Sequence, residues 1–159
     1  MKKNINNIII TKATKKDVND IAVLGSAVNE FEVSDQVVSF WPKEILNTCI
    51  DNDDNIILVA KKASDLIGFI IINYNHSLSK AIIENIFVHP NFRNKKIGEK
   101  LLEYSLKELQ RMNCRYLCTL TDSGNDKAIN FYLENGFTRG INCVWLDKVL
   151  DSTFKRDIS

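Results

Sequence analysis

Apolar positions along the chain alternate between two periods, one of strands and one of helices, and the switches mark the elements. Ile8 to Lys12 is a β-branched run that favours an opening strand. Thr14 stands three residues before Asp17, a spacing like that of a capping box, so a helix is expected to begin there. Val18, Ile21, Ala22 and Leu24 to Val28 supply its apolar face and carry it to about Phe31. Pro42 suits the first turn of a short second helix ending near Ile50, and the acidic stretch Asp51 to Asn55 reads as a turn.

Three strands are predicted next: Ile56 to Lys61, Leu66 to Asn73 after a hairpin turn at Ser64-Asp65, and Lys80 to Val88, stopped by Pro90. Ile97, Leu101, Leu102, Leu106 and Leu109 then repeat at helical spacing to about Met112. Glu99, Lys100, Glu103, Lys107, Glu108 and Arg111 fill the polar side of that helix, some at supporting i, i+4 spacing. Tyr116 to Leu120 reads as a strand and Asp126 to Glu134 as a helix with Gly136 as its stop. Thr138 to Val149 closes the pattern as one long strand or a hairpin through Gly140. Meander strands followed by strand–helix–strand crossovers imply an α/β (α+β) fold, a mixed sheet covered by helices.

Composition narrows the picture. The 159 residues, 45% of them apolar, fit one domain with one core. Twenty-one Lys and Arg against twenty Asp and Glu give no general pull toward nucleic acid or an anionic membrane. The apolar run Ile8 to Ile10 is too short for a signal-peptide core, and no stretch approaches a membrane span. Of Cys49, Cys114, Cys118 and Cys143, only Cys114 and Cys118 lie close, without a partner pair at zinc-ligand spacing, so no metal is expected. Free thiols of this kind suggest a reducing cytoplasm and read as small buried hydrophobes.

Candidate chemistry concentrates where a strand end, a basic turn and a helix start follow one another, from Phe87 to Gly98. The first amides of a helix lack internal partners and sit at the positive end of its dipole, which favours an anion. Arg93, Lys95, Lys96 and Lys100 add positive charge, and Gly98 lets a ligand approach the backbone. A solvated basic loop and a glycine that eases helix packing would read the same way. Neither a Walker A loop nor a dinucleotide fingerprint is present.

These residues resemble the cofactor motif of the GNAT superfamily, the Gcn5-related N-acetyltransferases. Its pattern is Gln/Arg-x-x-Gly-x-Gly/Ala after a strand ending Val-x-Pro. Val88, Pro90, Arg93, Ile97 and Gly98 fall at matching positions, and Lys96 departs from it, standing where the family has its first glycine. Asn125 to Phe137 is similar to a second segment, Asn-x-x-Ala-x-x-Phe-Tyr-x-x-x-Gly-Phe. The resemblance implies a sheet of six to seven strands with about four helices over the whole of residues 1–159. It also implies an acyltransferase that uses acetyl-coenzyme A (acetyl-CoA) as co-substrate.

By resemblance, the pantetheine arm pairs with backbone groups of Phe87 and Val88, and the pyrophosphate rests on Arg93, Asn94, Lys95, Lys96, Ile97 and Gly98. The strands ending at Val88 and Leu120 are expected to splay apart, with Asn125 near the cofactor arm. Tyr132 is implied as general acid to the sulfur and the Val88 amide as oxyanion donor. Glu84, with the strand parity of Ile82, Ile86 and Val88, is a candidate base, an alternative being proton transfer through water. His89 is expected to be exposed, and His76 receives no role. The acceptor, a small-molecule amine or a peptide amino group, is left open, as is a homodimer. The segment Asn29 to Gln36, with Phe40-Trp41 beyond, would shape its pocket, and its acids would favour a cationic amine or polyamine.

Overall fold

A computed structural model of the chain describes residues 7–28 and 40–141, with 144, 146, 148 and 150. Among the described residues five strands, fewer than the six to seven expected, form one sheet in sequential order: β1 (Ile8–Lys12), β2 (Asn55–Lys62), β3 (Asp65–Asn75), β4 (Lys80–Val88) and β5 (Tyr116–Thr119). The first three junctions are antiparallel, and β4 with β5 is parallel. Helices α1 (Val18–Ser26) and α2 (Lys43–Ile50) cover one face, while α3 (Ile97–Arg111) and α4 (Asp126–Glu134) cover the other.

Each element follows from its sequence. The Thr14 amide and hydroxyl both donate to Asp17 Oδ2, at 2.8 and 2.9 Å, which fixes the start of a 3₁₀ turn leading into α1. Asp17 is buried and ion-paired with Lys61 of β2. Burial is the largest single influence on its carboxyl and acts upward. The bonds from Lys61 and Thr14 together outweigh it and hold the pKa below the usual value. Helix α1 ends at Ser26 rather than near Phe31; residues 29–39 lie outside the described residues. A Cβ on Gly25 would meet the Phe40 ring at 2.2 Å, so the glycine makes room for a buried phenylalanine. Phe40, Phe69 and Phe87 then follow one another across this face, with ring centroids 5.6 and 5.5 Å apart.

On the opposite face, α3 buries Ile97, Leu101, Leu102 and Leu109 of the predicted stripe, leaves Leu106 half-buried, and adds Ser105, whose hydroxyl returns to the Leu101 carbonyl at 2.8 Å. Helix α4 stops as expected. Gly136 takes φ +85°, and the Phe137 amide donates back to the Tyr132 carbonyl at 3.0 Å. The hairpin between β2 and β3 turns at Ala63-Ser64, one residue earlier than expected, since Lys62 already pairs with Asp65. Residues 138–141 are not in a strand, and much of the expected Thr138 to Val149 element lies outside the described residues. Cys49, Cys114 and Cys118 are free and half-buried rather than fully buried, and Cys143 lies outside the described residues. No described helix is long and apolar enough to cross a membrane.

Candidate active site

Strand β4 changes character halfway along. Its parallel ladder with β5 runs from Lys80↔Tyr116 to Ile83↔Thr119 and stops there. Beyond that fork β5 has ended, while β4 continues through Glu84 to Val88, an edge roughly 15 Å long at ordinary strand rise. The second half of β4 thus has no strand beside it on the β5 side among the described residues.

A bulge sits at the fork. On β3, Ile71 pairs with Asn85 and Ile72 with Ile83, so Glu84 is an extra residue without a partner. The bulge changes the strand's parity. Ile83, Ile86 and Val88 all lie against the α3/α4 core, whereas Phe87 belongs to the α1/α2 core. Glu84 accordingly does not share parity with Ile86 and Val88, because simple alternation across the strand is broken at Glu84 itself. Desolvation raises its carboxyl above the usual value, although the residue keeps an exposed side.

The open edge can be assigned its donors. Successive amides of an extended strand point to opposite edges. The His89 amide donates to the Ile67 carbonyl of β3 at 2.8 Å, so the Val88 amide and carbonyl turn to the unpaired side. Arg93 Nε donates to that carbonyl at 3.0 Å, which anchors the basic turn on the strand end. The Phe87 side chain is buried against Phe69 and its backbone, one residue before Val88, faces β3, so of these two expected residues only Val88 turns a backbone amide to the open edge.

The turn itself has the geometry of an anion cradle. Asn94 and Lys96 have φ of 59° and 58°, and Lys95 between them does not. Left-handed residues alternating with a right-handed or extended one gather their amides on one side. Lys96, at the N-cap of α3, thus keeps the left-handed conformation that glycine favours, at a cost on the order of 1 kcal/mol for a residue with a Cβ. Lys95 Nζ donates to the Asn91 carbonyl at 3.0 Å and lies 4.9 Å from the Phe92 ring centre. Lys96 extends into solvent, with Glu99 at 3.9 Å, a surface pair that contributes little. Ile97 is buried in the core. A Cβ on Gly98 would stand 3.2 Å from Phe131 and 3.8 Å from Val88, so this glycine also seats α3 against α4.

Tyr132 closes the fork from α4. It is buried with its ring 5.2 Å from both Phe131 and Phe137. Burial pushes the phenol above its ordinary pKa, and the Thr119 side chain partly offsets this. Thr119 Oγ1 donates to the Ile83 carbonyl at 3.1 Å. Thr119 and Ile83 are thereby joined at the fork on the side of the sheet that Tyr132 packs against, Glu84 follows Ile83 along β4 as the bulged residue, and the Arg93–Gly98 turn stands at the far end of the open edge. Asn125 Oδ1 caps α4, accepting from the Ala128 amide at 3.1 Å. His89 is half-buried rather than exposed, its Nδ1 accepting from the Asn91 amide at 3.3 Å, and His76 pairs with Asp54 at 3.0 Å.

Two features had no sequence signal of their own. Thr119 reads as an ordinary strand residue until its register against Ile83 is known. Trp41 Nε1 donates to Asn85 Oδ1 at 2.8 Å across 44 positions of sequence, tying the end of the segment before α2 to β4 beside the bulge. The segment Asn29 to Gln36 lies outside the described residues.

A profile described as the acetyltransferase (GNAT) family matches residues 23–137. An uncharacterised N-acetyltransferase of Bacillus subtilis (strain 168), YhfO, is 27% identical over 134 residues, covering 80% of this chain and 88% of that protein. Two solved structures share the fold. An aminoglycoside acetyltransferase from an uncultured soil metagenomic sample, in complex with trehalose, has a TM-score of 0.76 at 18% identity and covers 94% of this chain and 100% of its own. PaiA N-acetyltransferase from Thermoplasma acidophilum, in complex with coenzyme A, has a TM-score of 0.71 at 24% identity, covering 83% and 90%.

Proposed function

Since the chain belongs to the acetyltransferase (GNAT) family, an acyltransferase family with acetyl-CoA as co-substrate, we propose that it acetylates a primary amine by direct attack of the amine on the thioester. The observation that carries this reading is the open half of β4: an unpaired backbone edge that begins at a buried tyrosine and ends on an anion cradle. The residues present fit the co-substrate. Backbone groups on the open edge of β4, up to Val88, would hold the pantetheine arm, the amides from Asn94 to Gly98 the pyrophosphate, with Arg93, its own amide held by the Pro90 carbonyl, adding charge beside it, and Asn125 would lie near the arm. Bound there, acetyl-CoA supplies the activated acetyl group.

Direct attack requires a neutral amine, a donor for the developing oxyanion and a proton for the departing thiolate. The Val88 amide, turned to the open edge, serves as the oxyanion donor. Tyr132 donates the proton to sulfur, and its raised pKa keeps the phenol protonated at neutral pH. Glu84 takes the amine proton, directly or through a water, and its raised pKa brings it nearer the working range of a base. The acceptor is a small amine or a protein amino group. That the soil metagenomic protein is an aminoglycoside acetyltransferase supports amino sugars as one class to try.

The test is thiol release from acetyl-CoA across amino sugars, polyamines, amino acids, antibiotics and N-terminal peptides. At least one class should accelerate release, and Tyr132→Phe should lower its kcat about a hundredfold. Full turnover in that variant would remove Tyr132 as the acid, and no acceleration by any class would count against the amine reading.

A further inference from the structure

Asn85 is a polar side chain on the open half of β4 that the reading above leaves unused. It pairs in register with Ile71, a residue of the α1/α2 core, so its side chain shares that face with Phe87. Ile86 and Val88 turn the other way, where α3 and α4 close over the strand. The α1/α2 side is the one left for an acceptor to approach Glu84, and there Asn85 stands half-buried beside Trp41. An indole N–H can only donate. The bond from Trp41 Nε1 to Asn85 Oδ1, 2.8 Å long, therefore fixes which way the carboxamide faces, with its oxygen to the indole and its NH2 to the other side. Trp41 is itself held, because Phe40 before it is buried over Gly25 with its ring centre 5.6 Å from that of Phe69. Asn85 Nδ2 has no hydrogen-bond partner among the described residues. No buried side-chain nitrogen or oxygen among them lacks a partner, so Nδ2 is open to solvent. A pair of donors of fixed direction is thus offered by the residue after Glu84.

We propose that Asn85 is a specificity-determining residue whose NH2 donates to an oxygen of the acceptor, and that Trp41 is the positioning residue that keeps the carboxamide turned that way. This rests on the amine reading above. Consecutive Cα atoms are about 3.8 Å apart, so with the amine at Glu84 the oxygen must lie within a few bonds of it. A hydroxyl beside the amine, as in an amino alcohol or amino sugar, meets that requirement, and so does the carbonyl of an amino acid amide. A polyamine does not. Its other nitrogens are protonated near neutral pH and can only donate, as Nδ2 does, and a simple alkylamine likewise leaves the Asn85 donors unpaired when it displaces water from them. The acceptor is therefore an amine with an oxygen close to it.

Matched acceptors test it, compared by kcat/KM at equal concentrations of free base with acetyl-CoA saturating. Trans-2-aminocyclohexanol against cyclohexylamine asks for a hydroxyl, and alaninamide against sec-butylamine asks for a carbonyl. In at least one pair the oxygen-bearing amine should be preferred about tenfold, the effect of one hydrogen bond, and that pair names the source of the oxygen. Asn85→Leu keeps the approximate shape and removes the donors, and the preference should fall to near one. A merely structural role for Asn85 would slow both members of a pair alike and leave their ratio standing. Trp41→Phe leaves the carboxamide in place but unheld, and the preference should fall about threefold. The absence of a preference in either pair, or a preference that survives Asn85→Leu, would overturn the proposal, and one left whole by Trp41→Phe would overturn the part given to Trp41. If no amine drives thiol release, the amine reading fails instead, and binding decides. The Asn85 side-chain amide resonances, identified by their loss in Asn85→Leu, should then shift when an oxygen-bearing amine is added with coenzyme A, and stay put with its matched alkylamine. Resonances that stay put with all four amines would overturn the proposal as well.

Discussion

The two halves of β4 are built from similar residues and do different things. From Lys80 to Ile83 the strand is paired on both edges, and Ala81 and Ile83 are buried. From Glu84 to Val88 it keeps β3 on one edge only, with a bulge at the start and the basic turn at the end. Nothing in side-chain hydrophobicity separates Ala81-Ile82-Ile83 from Asn85-Ile86-Phe87-Val88. The difference lies in the backbone. In the closed half every amide direction is used by the sheet, whereas in the open half one edge is left for something else. A binding edge can thus be made by ending a neighbouring strand early, with no special residue in the strand that offers it.

Disturbing the two halves should separate stability from binding. The largest effect is expected in the closed half. Ala81 is fully buried, so Ala81→Leu overfills the core and should cost about 2 kcal/mol in chemical denaturation. The Kd for coenzyme A should change less than twofold in the folded protein, since the open edge is untouched.

Next comes the bulge. Glu84→Gln should lower kcat/KM for the acceptor about tenfold with little change in stability. A base works only when deprotonated, and burial raises this carboxyl. The wild-type rate should therefore fall as pH drops through a value above the ordinary carboxylate range, and that acidic limb should vanish in the glutamine variant. A limb that persists in Glu84→Gln would assign the proton to water or to another group.

Smaller effects are expected at Lys96. Lys96→Gly relieves the left-handed conformation and should change stability by at most about 1 kcal/mol, because glycine's greater freedom in the unfolded chain opposes the gain. If the lysine reaches a phosphate, coenzyme A should bind several-fold more weakly to the glycine variant by calorimetry, and more so at low salt. Unchanged affinity would mean that Lys96 makes no phosphate contact and that the amides alone hold the anion.

Much of this was legible from the chain. The β-branched run at Ile8, the helical stripe from Ile97 to Leu109 and the glycine at 136 each carry a local physical reason for their structure, and the elements formed there. From Phe87 to Gly98 the strand stop, the basic turn and the helix start were legible because all are local signals. The bulge at Glu84 was not legible, since it depends on the register of β4 against β3, and strict alternation along the sequence pointed the wrong way for Ile86 and Val88. Thr119 and the Trp41–Asn85 bond were hidden for the same reason: each depends on partners far away in the chain.

The central claim is that the open half of β4 is the coenzyme A edge. Amide hydrogen exchange, followed residue by residue with and without coenzyme A, tests it most directly. The Val88 amide should exchange more slowly when coenzyme A is present, as should the amides from Asn94 to Gly98. Those of Ala81 to Ile83, already held in the sheet, should barely change. Saturating coenzyme A that leaves Val88 and the turn exchanging as before would contradict the account.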